Sequence, residues 1–240
     1  MSTGGIIRNR RKNTIRFGEV ESMSGAHYRL VIGNKNTSSW SLRPWLLMRR
    51  LAIEFDEIRI NLRDPEYAAQ IKAHSPAGKV PVLWSGELMV WDSLAILEYL
   101  ADRHPDLGIW PPDMTARAIA RCISAEMHSG FQPLREACPM SILSTSRTQD
   151  EFPEPVAANI RRVVAIWMET RKRFGKSGRF LFSKFSAADA MYAPVASRLK
   201  TYVPDLAAFG DDGTAKAYID TLFGMPEMSE WSTGAQAEMS

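Results

Sequence analysis

Tyr28-Arg-Leu-Val-Ile32 runs into Gly33-Asn-Lys-Asn-Thr-Ser-Ser39 and then into Trp40-Ser-Leu-Arg-Pro-Trp-Leu-Leu-Met48. The first five residues alternate and then turn apolar, as a strand entering a core does. The polar segment after them predicts a loop that leads into a helix. Pro44 is expected in the first helical turn, where a missing N–H costs little. Trp45, Leu46, Leu47, Met48 and Leu51 give that helix a broad buried face, and Glu57-Ile-Arg-Ile60 reads as a second strand. Strand, helix and strand in such a short span predict a right-handed parallel unit.

Outward from this unit, a helical stretch is expected around Tyr67–Lys72, with a break at Ser75-Pro-Ala-Gly78. Val80-Pro-Val-Leu-Trp84 and Glu87-Leu-Met-Val-Trp91 bracket Ser85-Gly86, a hairpin signal. A helix from Ser93 to Arg103 follows, and Pro105 with Trp110-Pro-Pro112 makes a linker. Beyond Asp113 the periodicity predicts helices at 114–137, 155–174, 187–200 and 215–223, with no convincing strand. Phe180-Leu-Phe-Ser-Lys-Phe185 is apolar enough for a strand but leads into Ser186-Ala-Ala-Asp189, which has capping-box spacing. The expected organisation is an α/β domain over 27–104, a linker over 105–112 and an all-α domain over 113–240.

Composition narrows the function. Of the 240 residues 45% are hydrophobic and 24% charged, as in ordinary globular chains. The net charge of +3 comes entirely from the first 22 residues, where Arg8, Arg10, Arg11, Lys12 and Arg16 face only Glu19 and Glu21. The remaining chain is neutral, so no folded nucleic-acid-binding face is expected. Residues 1–26 read as a basic, disordered extension, with an organelle presequence or a basic arm as alternatives. No apolar run is long enough to span a bilayer. Cys122 and Cys138 form no disulfide framework, which suits a reducing, cytoplasmic setting. No metal is expected, and P-loop, dinucleotide and nucleophile-elbow motifs are absent. The α/β half has no cysteine, which excludes thiol–disulfide exchange there.

Three places can carry chemistry. Ser38 and Ser39, followed by Trp40 and Arg43, stand at a loop-to-helix junction. Their hydroxyls can donate to an anion where the helix dipole adds positive potential, or simply cap the helix. A cis bond at Val80-Pro81 would expose the Val80 N–H and C=O at a sheet edge for a peptide-like ligand. Asp92 and Ser93 open a helix between apolar segments, where they can bind a ligand's ammonium and carboxylate groups or serve as caps.

In this order the three resemble the glutathione S-transferase family, from about Tyr28 to Trp231. Ser-Ser-Trp-Ser-Leu-Arg43 is most similar to the motif of zeta-like and related bacterial members, and Phe182 to Tyr202 looks like the sixth helix of the family's second domain. The resemblance implies a thioredoxin-like N-terminal domain, a helical-bundle C-terminal domain and a homodimer. It implies glutathione as co-substrate, with Ser38 activating its thiol, or Ser39 if the register slips by one, and Trp40 beside it. Lys79 would meet its glycyl carboxylate, Val80 its cysteinyl backbone before cis Pro81, and Asp92 with Ser93 its γ-glutamyl end. His128 and Phe131 would line the second-substrate pocket, with a structural histidine and a buried core side chain as the alternatives, and Arg135 reads as a solvated or interhelical charge. The expected activity is transfer to a small, apolar electrophile. A glutathione-dependent isomerase or lyase of maleylacetoacetate type and a non-catalytic glutathione-binding module are the alternatives. Trp40 stands where the zeta motif has cysteine, and Lys79 replaces the usual glutamine.

Overall fold

In the computed structural model, residues 27–144, 151–176 and 178–239 are described; the basic extension expected over 1–26 lies outside them. Four strands, β1 (Tyr28–Ile32), β2 (Phe55–Arg59), β3 (Val82–Ser85) and β4 (Leu88–Val90), form one sheet in the order β2-β1-β3-β4. β1 and β2 are parallel, with Leu30 opposite Glu57, while β3 runs antiparallel to both β1 and β4. The period of two in β1 assigns its side chains. Leu30 and Ile32 enter the main core with α1 (Ser39–Arg50) and α3 (Ser93–Arg103). Val31 joins Val82, Ile60 and Ile71 on the other face, beneath α2 (Tyr67–His74). This is a thioredoxin-like arrangement, followed by a helical region.

That region comprises α4 (Met114–Ser129), α5 (Gln132–Ala137), α6 (Glu154–Phe174), α7 (Ala187–Tyr202), α8 (Thr214–Phe223) and α9 (Pro226–Ala237). α7 is its axis, packing on α1 and α4 and buried along nearly its whole length. A helix apolar all round must lie inside a core. At its start the Asp189 carboxylate accepts from the Ser186 N–H at 2.8 Å and the Ser186 hydroxyl at 3.0 Å. It also accepts from the Leu181 N–H and the Tyr218 hydroxyl.

Three expectations are corrected, and one element lies outside them. Pro44 is the sixth residue of α1, one turn later than expected, and has no N–H to give the Trp40 carbonyl. The helix expected over 114–137 is two, because Gly130 ends α4 and Pro133 cannot continue it. Phe131 between them turns left-handed at φ 58°, and a Cβ on Gly130 would sit 2.7 Å from the Glu126 carbonyl. β3 starts at Val82, after Val80 and Pro81, and is an inner strand; the edges are β2 and β4. Finally, α9 was not foreseen. Only Met228, Trp231 and Ala235 face inward among polar neighbours, a thin stripe with Pro226 in the first turn as its remaining signal. Phe180–Phe185 forms isolated bridges rather than a strand.

Candidate active site at the N-termini of α1 and α3

Ser38 caps α1 and Ser39 begins it; both are nearly buried, at 9% and 7% exposure. Their hydroxyls point to different partners. Ser38 Oγ donates to Ser41 Oγ at 2.7 Å, and Ser41 Oγ also accepts from the Gly33 N–H at 3.1 Å. Ser39 Oγ accepts from Arg198 Nη2 of α7 at 3.2 Å. The loop before these serines is held from outside the sheet. Trp231 of α9 donates its indole N–H to the Lys35 carbonyl at 2.8 Å, and the Glu238 carboxylate accepts from the Lys35 N–H. The Ile142 and Leu143 N–H groups bond to Asn36.

At α3, Asp92 acts as a cap, accepting from the Leu94 N–H at 3.1 Å. Its other oxygen lies 3.0 Å from His128 Nε2 of α4. His128 in turn meets the edge of Trp40, ring centroids 5.3 Å apart. Trp40, His128 and Asp92 therefore join the starts of α1 and α3 to the end of α4. Ser93 is fully buried and its hydroxyl has no partner among the described residues, although a buried polar atom left unpaired is costly. The Val80-Pro81 bond is cis. Val80 lies ahead of the β3 ladder, and its backbone groups pair with none of the described residues. Lys79 is exposed beside it. Phe131 is a core side chain, 7% exposed.

Three arginines complete the site, and sequence reasoning placed none of their contacts. Arg43 is fully buried; it donates to the Met191 and Ser39 carbonyls and to Met127 Sδ, and its guanidinium lies 4.0 Å over the Trp40 ring. Arg135, expected to be solvated or interhelical, is half-buried, donates to the His128 carbonyl and stands 5.5 Å from the same ring. Arg198 donates to the Pro194 carbonyl and Ser39 Oγ, and its Nε has no partner among the described residues. Burial, reinforced by Arg198 and Arg135, holds the Arg43 guanidinium well below its usual range, with Asp92 opposing. Burial and Arg135 bring Arg198 down to about 10. No group of three or more His, Cys, Asp or Glu among the described residues could hold a metal ion. No helix among them is long and apolar enough to cross a membrane.

Residues 37–103, which carry both helix starts and the cis proline, match the model of the glutathione S-transferase N-terminal domain. Residues 37–103 are thus a domain of the glutathione S-transferase type. Among curated relatives, a probable maleylacetoacetate isomerase of Caenorhabditis elegans is 34% identical over 46% of this chain and 50% of its own. The maleylacetoacetate isomerase of Rattus norvegicus is 26% identical over 73% of this chain and 79% of its own. The match thus spans half the length of the nematode relative. Among solved structures, a glutathione transferase homolog from Burkholderia gl BGR1, with bound glutathione, superposes with a TM-score of 0.65. It is 18% identical, over 88% of this chain and 98% of that one, and shows the shared fold. Of the site residues expected from sequence, Ser39, Trp40, His128 and Asp92 are linked in turn through Arg43 and direct contact, and Ser93 follows Asp92 in the chain. Lys79 is linked to none of them by a described contact.

Proposed function

We propose that this chain binds glutathione along Val80, Asp92 and Ser93 and activates its thiol at the start of α1 for attack on a small electrophile. The observation that carries the reading is the Ser93 hydroxyl, fully buried at a helix N-terminus and without a partner among the described residues. A ligand carboxylate there would take the hydroxyl and the end N–H groups together, with the helix dipole favouring its charge. Asp92 next to it would take the ligand's ammonium while its 3.0 Å contact with His128 Nε2 holds the carboxylate in place. The unpaired Val80 backbone groups support pairing with the peptide unit of the tripeptide. Lys79 would attract the second carboxylate from its exposed position.

The thiol would then lie over the N-terminus of α1, where end N–H groups, a serine hydroxyl and the nearby guanidinium charges all favour the thiolate. Trp40 would form the adjoining wall for the electrophile, its indole flanked by Arg43 and Arg135. Such a wall suits an apolar, planar acceptor whose conjugated system takes up negative charge as the thiolate bonds to its reacting carbon. We further propose a cytoplasmic homodimer, as the resemblance implies. Calorimetric titration with glutathione tests the reading, with Ser93→Ala as the partner variant. The expected result is binding by the parent chain and about tenfold weaker binding or worse by the variant, the loss of a charged hydrogen bond.

A further inference from the structure

Arg43, Arg135 and Arg198 share one region, yet none of them forms an ion pair with a carboxylate among the described residues. Arg43 and Arg198 are at least nine-tenths buried. A buried cation without a counter-charge is strongly unfavourable, and neighbouring cations make it worse. The groups that bear on Arg198 are Arg135 of α5, the Cys138 thiol after α5 and Tyr202 of its own helix, and Arg43 of α1 feels it in turn. Asp92 bears on Arg43 and Glu136 on Arg135. The arrangement lacks an anion.

The two serines show which group that anion meets. The Ser38 hydroxyl already spends its proton on Ser41 Oγ. Ser39 is the opposite: its oxygen accepts from Arg198, and no described residue takes its proton. A hydroxyl whose oxygen accepts from a cation is a stronger donor through its own hydrogen. It is also held in one orientation.

We propose that Ser39, rather than Ser38, donates to the glutathione thiolate, and that Arg198 is the positioning residue that acts through Ser39 and balances the thiolate charge. This rests on the glutathione reading above. In the activating step the S–H bond breaks, the proton goes to water, and the electron pair stays on sulfur. The sulfur then accepts a hydrogen bond from Ser39 O–H. A sulfur so placed comes within the roughly 4–6 Å over which an opposite charge moves a pKa by about 1–3 units.

The test follows the ultraviolet absorbance of bound thiolate against pH in the full chain, with glutathione affinity measured separately by calorimetry. Arg198→Met is expected to raise the bound thiol's pKa by about 1 unit or more, with a smaller effect on glutathione affinity. Arg198→Lys, which keeps the charge, should recover part of that shift. A merely structural arginine would not sort the two this way. Ser39→Ala should raise the thiol pKa more than Ser38→Ala does. If Arg198→Met does not fold, Arg198→Lys and the two serine variants decide the matter. A larger shift in Ser38→Ala overturns the proposal, as does an unchanged pKa in a folded Arg198 variant. An unchanged thiol pKa with a raised KM for an acidic acceptor also overturns it, because the arginines then serve the second substrate. Glutathione binding by the parent chain with none of these shifts sinks this proposal alone. No binding by the parent chain sinks the glutathione reading with it.

Discussion

Replacing Trp231 tests whether the last helix holds the catalytic loop. The indole is fully buried, meets Trp45 edge-on at 4.9 Å and donates to the Lys35 carbonyl at 2.8 Å. The Lys35 ammonium stands over both rings and pairs with Glu57 at 2.7 Å, and Glu57 also accepts from the Trp45 N–H. Trp231→Ala removes a large buried aromatic and is expected to cost about 3–5 kcal/mol. Trp231→Phe keeps most of the ring but strands the Lys35 carbonyl, a cost of about 1–3 kcal/mol. Urea unfolding measures both; at a slope of about 3 kcal/mol per molar, the alanine variant should lose at least about 1 M in midpoint. Because Lys35 lies in the loop that leads into Ser38 and Ser39, the phenylalanine variant should also bind glutathione more weakly at temperatures where it is fully folded. A cost below about 1 kcal/mol for the alanine variant, or parent-like binding by both, would refute the idea that α9 secures the loop.

Two further outcomes are expected. Burial, only partly offset by its four hydrogen bonds, lifts the Asp189 carboxyl from 3.8 to about 6. The folded chain therefore binds that proton more tightly than the unfolded chain. The contribution is fully present below about pH 4 and is lost as pH rises through 6. The stability gap between the parent and Asp189→Asn should be wider by about 2 kcal/mol at pH 4.5 than at pH 7.5, and a constant or inverted gap would contradict it. Light scattering at micromolar concentration should give about twice the 27.0 kDa chain mass, and a mass equal to one chain would count against the homodimer.

What the sequence disclosed was local. Alternation in Tyr28–Ile32 marks β1, apolar spacing from Ser93 to Arg103 marks α3, and Ser186 with Asp189 marks the start of α7. Each is a pattern within a dozen residues, where period and capping chemistry act directly. Missed features depend on partners far away in the chain. Arg198 meets Ser39 across 159 positions, and Trp231 meets Lys35 across 196. A lone arginine on a helix reads as a solvated charge, because arginine is seldom buried. Only the packing of α7 against α1 turns Arg198 inward. The same limit explains α9, whose helix is stabilised by docking on the loop rather than by its own weak stripe. His128 was legible as a cleft candidate, but its pairing with Asp92 needed α3 and α4 side by side.

The most direct test of the account is calorimetric titration of the parent chain and Ser93→Ala with glutathione at millimolar concentration. Saturable binding at one site per chain, weakened about tenfold or more in the variant, is the predicted result. No heat of binding from the parent chain, or equal affinity in both, would contradict it.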